Sequence, residues 1–589
     1  MDTINSDQPI INCHTHIFTG DHVPPYLAKT FIPLYLYYLL PVRLFIGAIR
    51  FYFRKIDPIK YKSWYKWVVN RIYHYKMVIN RNGILNIVFF AISVFLTVQV
   101  FFILVDWLIS LHLFDDSVKQ KIVDLRLWFI NKKLLYIPPT LSGKLLLTLL
   151  FFLLFKSGRN FVIFLIKKTW SLLGVLPGPE SKKLLGRYMN IFHFSKYLKQ
   201  ETVFDKLKNQ YPDDTAFVVL PMDMEYMGAG KLKKKYRFHH QMEEIKEIKR
   251  KEEYRKIIYP FVFADPRRMQ KEGKNFFDYS IEGKKIVLKD CFIKTYLEEE
   301  NFSGIKIYPA LGYYPFDEEL LPLWKYAADN HIPIITHCIK GTIYYRGKKK
   351  KEWDAHPVFE GSKGDGKYAP LKLTQMKNSD YCNNFTHPMN YLCLLNEELL
   401  KKLIAKSQND CLKELFGYTC SKKPLASNLS QLKICFAHFG GDDQWNNFLE
   451  SDRDNYSTQL IKNPTRGLEF FTNNEGEDRR GKPEQIWKYV DWYTIICSIM
   501  LQYENVYADI SYILHDQSFQ VLLKKTLSNE MLLKKVLFGT DFYVVRNHKS
   551  EKNILADMQF WLNEAEYNQI ARVNPRTFLN NKIHGPVKI

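Results

Sequence analysis

The sequence has no Cys-x-x-Cys pair, no repeat of fixed period and no motif of an RNA- or DNA-binding module. Its nine cysteines are scattered and odd in number, which argues against a disulfide framework and for reduced thiols in a cytosolic compartment. The opening residues, Met1-Asp2-Thr3-Ile4-Asn5-Ser6-Asp7, lack the basic stretch and apolar core of a secretory signal, so no signal peptide is expected. Acidic residues are in deficit: 61 Asp+Glu face 84 Lys+Arg, a net charge of +23. The lysine-rich tracts lie beside apolar stretches, so the expected partner of that charge is an anionic membrane surface, not nucleic acid.

Charge is missing altogether from Gly83 to Val105. At ~1.5 Å per residue this run is long enough for the ~30 Å hydrocarbon core of a bilayer. A second apolar stretch is less clean: Leu134 to Phe155 holds Lys144 and the pair Pro138-Pro139, and Leu145 to Ile166 holds Lys156 and Arg159. It reads either as one crossing or as a short span followed by an interfacial helix from Asn160 to Trp170. Ten Lys/Arg fall between residues 43 and 81 and seven between 156 and 187, against six between 106 and 144. The positive-inside rule then places the rest of the protein on the cytoplasmic side of the cytoplasmic membrane.

The remaining sequence is a series of short apolar runs, several of which end in His or Asp. The most telling are Ile10-Ile11-Asn12-Cys13-His14-Thr15-His16, Ile334-Ile335-Thr336-His337, Ile434-Cys435-Phe436-Ala437-His438-Phe439-Gly440-Gly441 and Val536-Leu537-Phe538-Gly539-Thr540-Asp541. Such a run reads as a buried parallel strand carrying a ligand side chain at its C-terminal end. With 10–17 as the first strand and 536–542 as the last, the other strands are expected at 215–223, 257–265, 302–308, 333–338, 432–438 and 506–511, with helices such as Asp317–Asn330 and Trp487–Tyr503 between them. Eight β-α repeats make a TIM (β/α)8 barrel, an α/β fold of ~250 residues. The 589 residues therefore include a large, mostly helical hydrophobic insertion after strand one. The expected layout is strand one in 1–20, the insertion in 21–199 and the rest of the barrel in 200–589. A lysine-rich excursion occupies 341–430, and its run Arg346-Gly347-Lys348-Lys349-Lys350-Lys351 is expected to be a solvated loop, with anionic headgroups as its alternative partner. Side chains two apart on a strand share a face, so His14 and His16 can reach one ion. Imidazole suits zinc and similar metals, with a carboxylate as further ligand or base.

These runs, with Gly304-Ile305-Lys306-Ile307-Tyr308-Pro309, Phe385-Thr386-His387-Pro388 and Asn574-Pro575-Arg576-Thr577-Phe578, resemble the amidohydrolase superfamily. The likeness is to its amidohydrolase-related branch, which includes aminocarboxymuconate semialdehyde decarboxylase, and it covers strand one and roughly residues 200–580. It implies a divalent metal ion, of the zinc type, bound by His14, His16, His337 and Asp541. His438 and Asp541 would be the catalytic groups, with His438 acting on a water whose pKa the ion lowers toward ~7. Lys306 stays open between a carbamate bridging two metals, a barrel ion pair and a substrate contact. Asp223 and Arg546, just past strand ends, are candidate substrate contacts, and His387 is expected to stabilise a loop. The leading expectation is a metal-dependent hydrolase of an amide, ester or lactone in a small-molecule substrate, with an amphiphilic one among the candidates. The alternatives are a non-oxidative decarboxylase and a non-enzymatic membrane protein with a vestigial barrel.

Overall fold

The computed structural model describes residues 8–32, 35–39, 41–110, 116–172, 179–364, 366–450, 456–472, 479–542 and 549–580. Eight apolar runs form parallel strands: β1 (Ile11–Thr15), β2 (Ala216–Val219), β3 (Ile258–Phe263), β4 (Gly304–Ile307), β5 (Ile334–Ile339), β6 (Ile434–Gly440), β7 (Val506–Asp509) and β8 (Val536–Leu537). Each pairs with its predecessor, so spatial order follows chain order. The last returns to the first: Cys13 N–H donates to Phe538 O at 2.8 Å, Asp541 N–H donates to His14 O at 2.9 Å, and Thr15 bridges Phe542. Every strand residue is buried, as a sheet covered on both faces requires. Ile11, Cys13, Val218, Phe261, Ile335, Cys435 and Leu537 pack together in a small cluster that joins β1, β2, β3, β5, β6 and β8. The fold is thus a TIM barrel, with helices between its strands.

Two expectations about the connecting segments change. The helix read over Trp487–Tyr503 is two helices, Lys482–Tyr489 and Trp492–Gln502, because Asp491 accepts the Thr494 N–H at 2.6 Å and starts a new N-terminus. Arg346, read as part of a solvated run, is only 1 % exposed. Its guanidinium lies 3.7 Å from the Tyr344 ring centroid and 4.7 Å from that of Phe31, and donates to Thr30 Oγ1 at 3.1 Å. A planar cation stacked on rings loses less by burial than a lysine would, and this is why the loop folds inward at that one residue. The excursion also contains an antiparallel hairpin, Ala355–Gly364 with Lys367–Lys372.

The chain divides into two compact units. One holds Met1–Arg50 with Leu184–Ile589, and the other Phe51–Lys183. In the first, Val23, Leu27, Ile46, Tyr188 and Ile191 belong to the same core as the barrel's outer faces. In the second, Gly83–Ser110 is one continuous helix of 28 residues with a mean hydropathy of 2.7 over its most apolar window. Among the described residues it is the one helix long and apolar enough to cross a membrane. Its buried Gln99 is satisfied within the unit: Nε2 donates to Leu134 O at 2.8 Å and Oε1 accepts from Tyr136 N–H at 2.7 Å. The second apolar stretch breaks at Phe155 into Leu141–Leu154 and Lys156–Leu172. At ~1.5 Å per residue the first of these is about 21 Å long, short of a bilayer core. Phe152 stacks on Phe161 across the break, with centroids 6.1 Å apart. The helix Ser63–Arg81 buries no residue and exposes Trp64, Trp67, Tyr73 and Tyr75 beside Lys66, Arg71 and Lys76.

A carbonate wash of membranes from cells making the full chain checks the assignment of Gly83–Ser110. The chain is expected in the pellet, and release into the supernatant without detergent would mean that this helix does not span.

Candidate metal centre

His14 and His16 leave the end of β1 just where its pairing with β2 slips register between Asn12 and Thr15, and such a slip re-aims side chains. Their Nε2 atoms lie 3.3 Å apart. Asp541 Oδ1 is 3.5 Å from His16 Nε2 and 4.0 Å from His14 Nε2. The far side of each ring fixes its tautomer. His16 Nδ1 lies 2.8 Å from Leu220 O, and His14 Nδ1 lies 2.9 Å from Asp509 Oδ2, so both Nδ1 atoms carry the proton and donate. Two Nε2 lone pairs and a carboxylate oxygen therefore face one another with no proton between them. That arrangement repels unless a cation sits at its centre. Donors ~2.0–2.2 Å from a tetrahedral ion are separated by about 3.3–3.6 Å, close to the spacing found.

His438 and His337 extend the cluster. Ser511 Oγ donates to Asp509 Oδ1 and lies 2.9 Å from His438 Nδ1. The Ser511 proton is spent on Asp509, so His438 Nδ1–H donates to Ser511. His438 Nε2 then accepts from His337 Nδ1–H at 3.1 Å. This leaves His337 Nε2 as a buried lone pair without a hydrogen-bond partner among the described residues, which a metal ion would satisfy. The Tyr308 ring stacks on His337 at 3.7 Å and 13°, which holds the imidazole plane. Burial pushes the pKa of all four histidines well below the ordinary value, so they are neutral and able to ligate. Burial likewise pushes the Asp541 carboxyl well above the usual range, with Arg187 and Lys306 opposing. A carboxyl so placed ionises readily only against a cation.

Backbone strain aims these groups. Four residues in succession take positive φ: His438 (66°), Phe439 (42°), Gly440 (85°) and Gly441 (90°). A Cβ on Gly441 would lie 2.3 Å from Ile339 Cγ1, so the second glycine of Ala437-His438-Phe439-Gly440-Gly441 is required by β5 next door. Asp541 is also left-handed, at φ 56°. Gly539, two residues before it, faces His14: an added Cβ would come within 2.9 Å of the His14 Cβ. Strained residues clustered at one end of a barrel mark a site.

Of the residues expected at the site, His14, His16, His337, His438 and Asp541 come together. Lys306 stands nearby, fully buried, with no hydrogen bond at Nζ; burial pulls its ammonium down to about 8. Asp223 does not line the cavity, although Met222 and Met224 on either side of it do. Its carboxylate is engaged elsewhere: Oδ2 accepts from Arg268 Nε at 2.7 Å and Oδ1 from Glu225 N–H at 3.1 Å. Arg546 lies outside the described residues. His387 accepts from Met389 N–H at 3.3 Å and stacks on Trp487 at 3.8 Å, and it does not line the metal cavity. The cavity beside the cluster measures about 70 Å³. Its walls are otherwise largely apolar, from Phe18, Val23, Leu27, Ile191 and Ile343, with the Asn190 amide and the Arg187 guanidinium as polar groups.

Three residues escaped the sequence reading. Asp509 ends Val506-Tyr507-Ala508-Asp509, the same signature as the run that ends in Asp541, and so was there to be found. Ser511 and Arg187 carry no such signal. Arg187 comes from the helix Pro179–Phe194, inside what reads as a hydrophobic insertion. A further group, His22, His240 and Glu244, also places ligand atoms close together. Thr19 N–H donates to His22 Nδ1 at 3.1 Å, which puts the ring proton on Nε2 and makes it a donor; both Glu244 oxygens already accept from Gln200, at 3.0 and 2.8 Å.

No protein-family model matches the chain, and no curated protein sequence matches it. Solved structures similar to it include a dihydroxybenzoic acid decarboxylase from Polaromonas sp. JS666 with bound manganese and the inhibitor 2-nitroresorcinol. That match has 12 % identity, covers 66 % of this chain and 87 % of that one, and has a TM-score of 0.32. An uncharacterised TIM-barrel protein from Bordetella bronchiseptica matches at 9 % identity over 65 % of this chain and 84 % of that one, with a TM-score of 0.28. The barrel assignment rests on this chain's own strand order and closure.

Elemental analysis of the purified chain is expected to give about one equivalent of a divalent ion, and a folded chain without metal would remove the centre. Asp509→Asn is expected to weaken metal retention or activity by about 10–100-fold, as loss of a partner behind a ligand does. Asp223→Ala is expected to cost about 1–3 kcal/mol in denaturant unfolding, since it removes the buried acceptor of Arg268 Nε while Glu272 and Glu225 still pair with that guanidinium, and metal content stays unchanged.

Proposed function

We propose that the protein is a metal-dependent enzyme of the amidohydrolase type that hydrolyses an amide, ester or lactone bond in a substrate with an apolar body and an acidic group. The observation that carries this reading is the face-to-face arrangement of His14 Nε2, His16 Nε2 and Asp541 Oδ1, with the open His337 Nε2 beside them. These four residues would hold the ion, and neutral imidazoles with one carboxylate favour zinc. When bound, it would supply Lewis-acid polarisation of the scissile carbonyl and of water.

The chain's own groups supply the rest. His438 would take the proton from the attacking water at Nε2, once the water has replaced the His337 Nδ1–H as its partner there. The resulting imidazolium is stabilised through Nδ1–H to Ser511 and, through Ser511, by the Asp509 carboxylate. The Arg187 guanidinium makes no ion pair with any described carboxylate and lines the cavity, so it is placed to take the substrate's acidic group as a forked pair. The apolar walls exclude water and accept the substrate's body.

A second reading, non-oxidative decarboxylation, is favoured by the Arg187 guanidinium in the lining of a small, largely apolar cavity, which suits a substrate whose reacting group is itself a carboxylate. Release of carbon dioxide from aromatic acids, against hydrolysis of anilides and lactones, separates the two.

The proposal extends to location. The helix Gly83–Ser110 would anchor the enzyme in the cytoplasmic membrane with the barrel on the cytoplasmic side. The aromatic and basic residues of Ser63–Arg81 would lie on an anionic membrane surface.

His438→Ala is expected to retain the ion and lose about 10²–10⁴-fold in turnover; loss of metal as complete as in His14→Ala would make it a ligand instead. Arg187→Met is expected to raise KM for acidic substrates with metal content unchanged, and Arg187→Lys to recover part of the loss.

A further inference from the structure

The metal cavity is too small for a whole metabolite, but a much larger cleft opens beside it. It measures about 910 Å³, against about 70 Å³ at the ion, and lies within the ~300–1,000 Å³ of ordinary small-molecule sites. The tail of β5 forms part of the walls of both. Lys340, three residues after His337, faces the cleft. At the next residue, an added Cβ on Gly341 would stand 3.9 Å from both His337 Nε2 and Arg187 Nη2.

The lining has a definite chemistry. Lys340 is its one half-buried ammonium: Nζ lies 5.2 Å from the centroid of the Trp492 ring, and no carboxylate pairs with it. Lys372 and Glu450 are exposed at the rim, and Lys488 is paired with Glu484 at 2.6 Å. Two further carboxylates in the lining are engaged by backbone: Asp380 accepts from Lys377 N–H at 2.8 Å and Asp491 from Thr494 N–H at 2.6 Å. Trp487 presents the part of its indole not covered by His387. Asn383 and Asn447 line the cleft, and their side chains make no hydrogen bond to any described residue. An amide both donates and accepts, which matches a hydroxyl group, and an indole face matches the C–H face of a saturated ring. Lys340 is the one unpaired cation recessed from solvent here, which matches one negative charge and is too few for a polyphosphate.

We propose that this cleft is a second binding site, for an anionic sugar: a polyhydroxylated ring against Trp487, its hydroxyls met by Asn383 and Asn447 and its acidic group by Lys340. The site is independent of the reaction proposed at the metal centre, and it persists if that reaction proves to be another.

Calorimetric titration of the full chain in detergent with D-glucuronate, D-glucose and inorganic phosphate tests the proposal. Glucuronate is expected to bind saturably, glucose about ten-fold more weakly for want of one charge contact, and phosphate not at all. Lys340→Met is expected to erase the difference between the two sugars, Lys340→Arg to keep it, and Asn383→Ala with Asn447→Ala to weaken both. His438→Ala is expected to bind glucuronate as the unmodified chain does. The proposal is overturned if neither sugar binds, if glucuronate binds no better than glucose, if its advantage survives Lys340→Met, or if phosphate binds as well as glucuronate. Thermal melts of each variant separate lost binding from lost folding.

Discussion

The Asp509 carboxylate is the interaction on which the centre depends. One oxygen accepts from His14 Nδ1–H at 2.9 Å; the other accepts from Ser511 and from His438 N–H at 3.1 Å. A single buried anion at the end of β7 thereby fixes two tautomers. It makes His14 a lone-pair donor toward the cavity, and through Ser511 it makes His438 an acceptor there. With Asp509 neutral or absent, His14 could keep its proton on either nitrogen, and the cavity face of the cluster would lose its shared polarity. The four ring nitrogens and the Asp541 oxygen form a centre because the groups behind them leave them no other state.

Strain complements that electrostatic constraint. The left-handed residues at His438, Phe439 and Asp541 each cost of order 1–3 kcal/mol. They persist because the strands before them are buried on both faces and admit no movement. The chain departs from regular geometry only at the ends of the strands, over the four residues from His438 to Gly441 and at Asp541.

The eight strands were legible because each is a short apolar run with polar punctuation, and His14, His16, His337, His438 and Asp541 were legible because each ends or follows such a run. Asp509 had the same mark. Asp223 had it too, yet its carboxylate belongs to Arg268, three residues past the end of the neighbouring strand's apolar run; position past a strand end does not say which way a side chain turns. Arg187 and Arg346 escaped because their roles depend on what folds around them. A basic residue in a hydrophobic segment reads as a membrane flank, and one beside four lysines reads as solvated. In the structure the first lines the cavity and the second is sandwiched between rings.

The closure of β1 between β2 and β8 also sets an order of events during synthesis. Ile11–Thr15 leaves the ribosome first, but the strand on one side begins at Ala216 and the strand on the other at Val536. At ~5–20 residues per second, roughly 10–40 s separate β1 from its first partner. During that interval the whole of Gly83–Ser110 is made as well. The last seam of the barrel closes only when nearly the whole chain has been made. Late truncations would therefore leave the sheet open, with β1 and β7 as hydrophobic edges. Such a species is prone to aggregate.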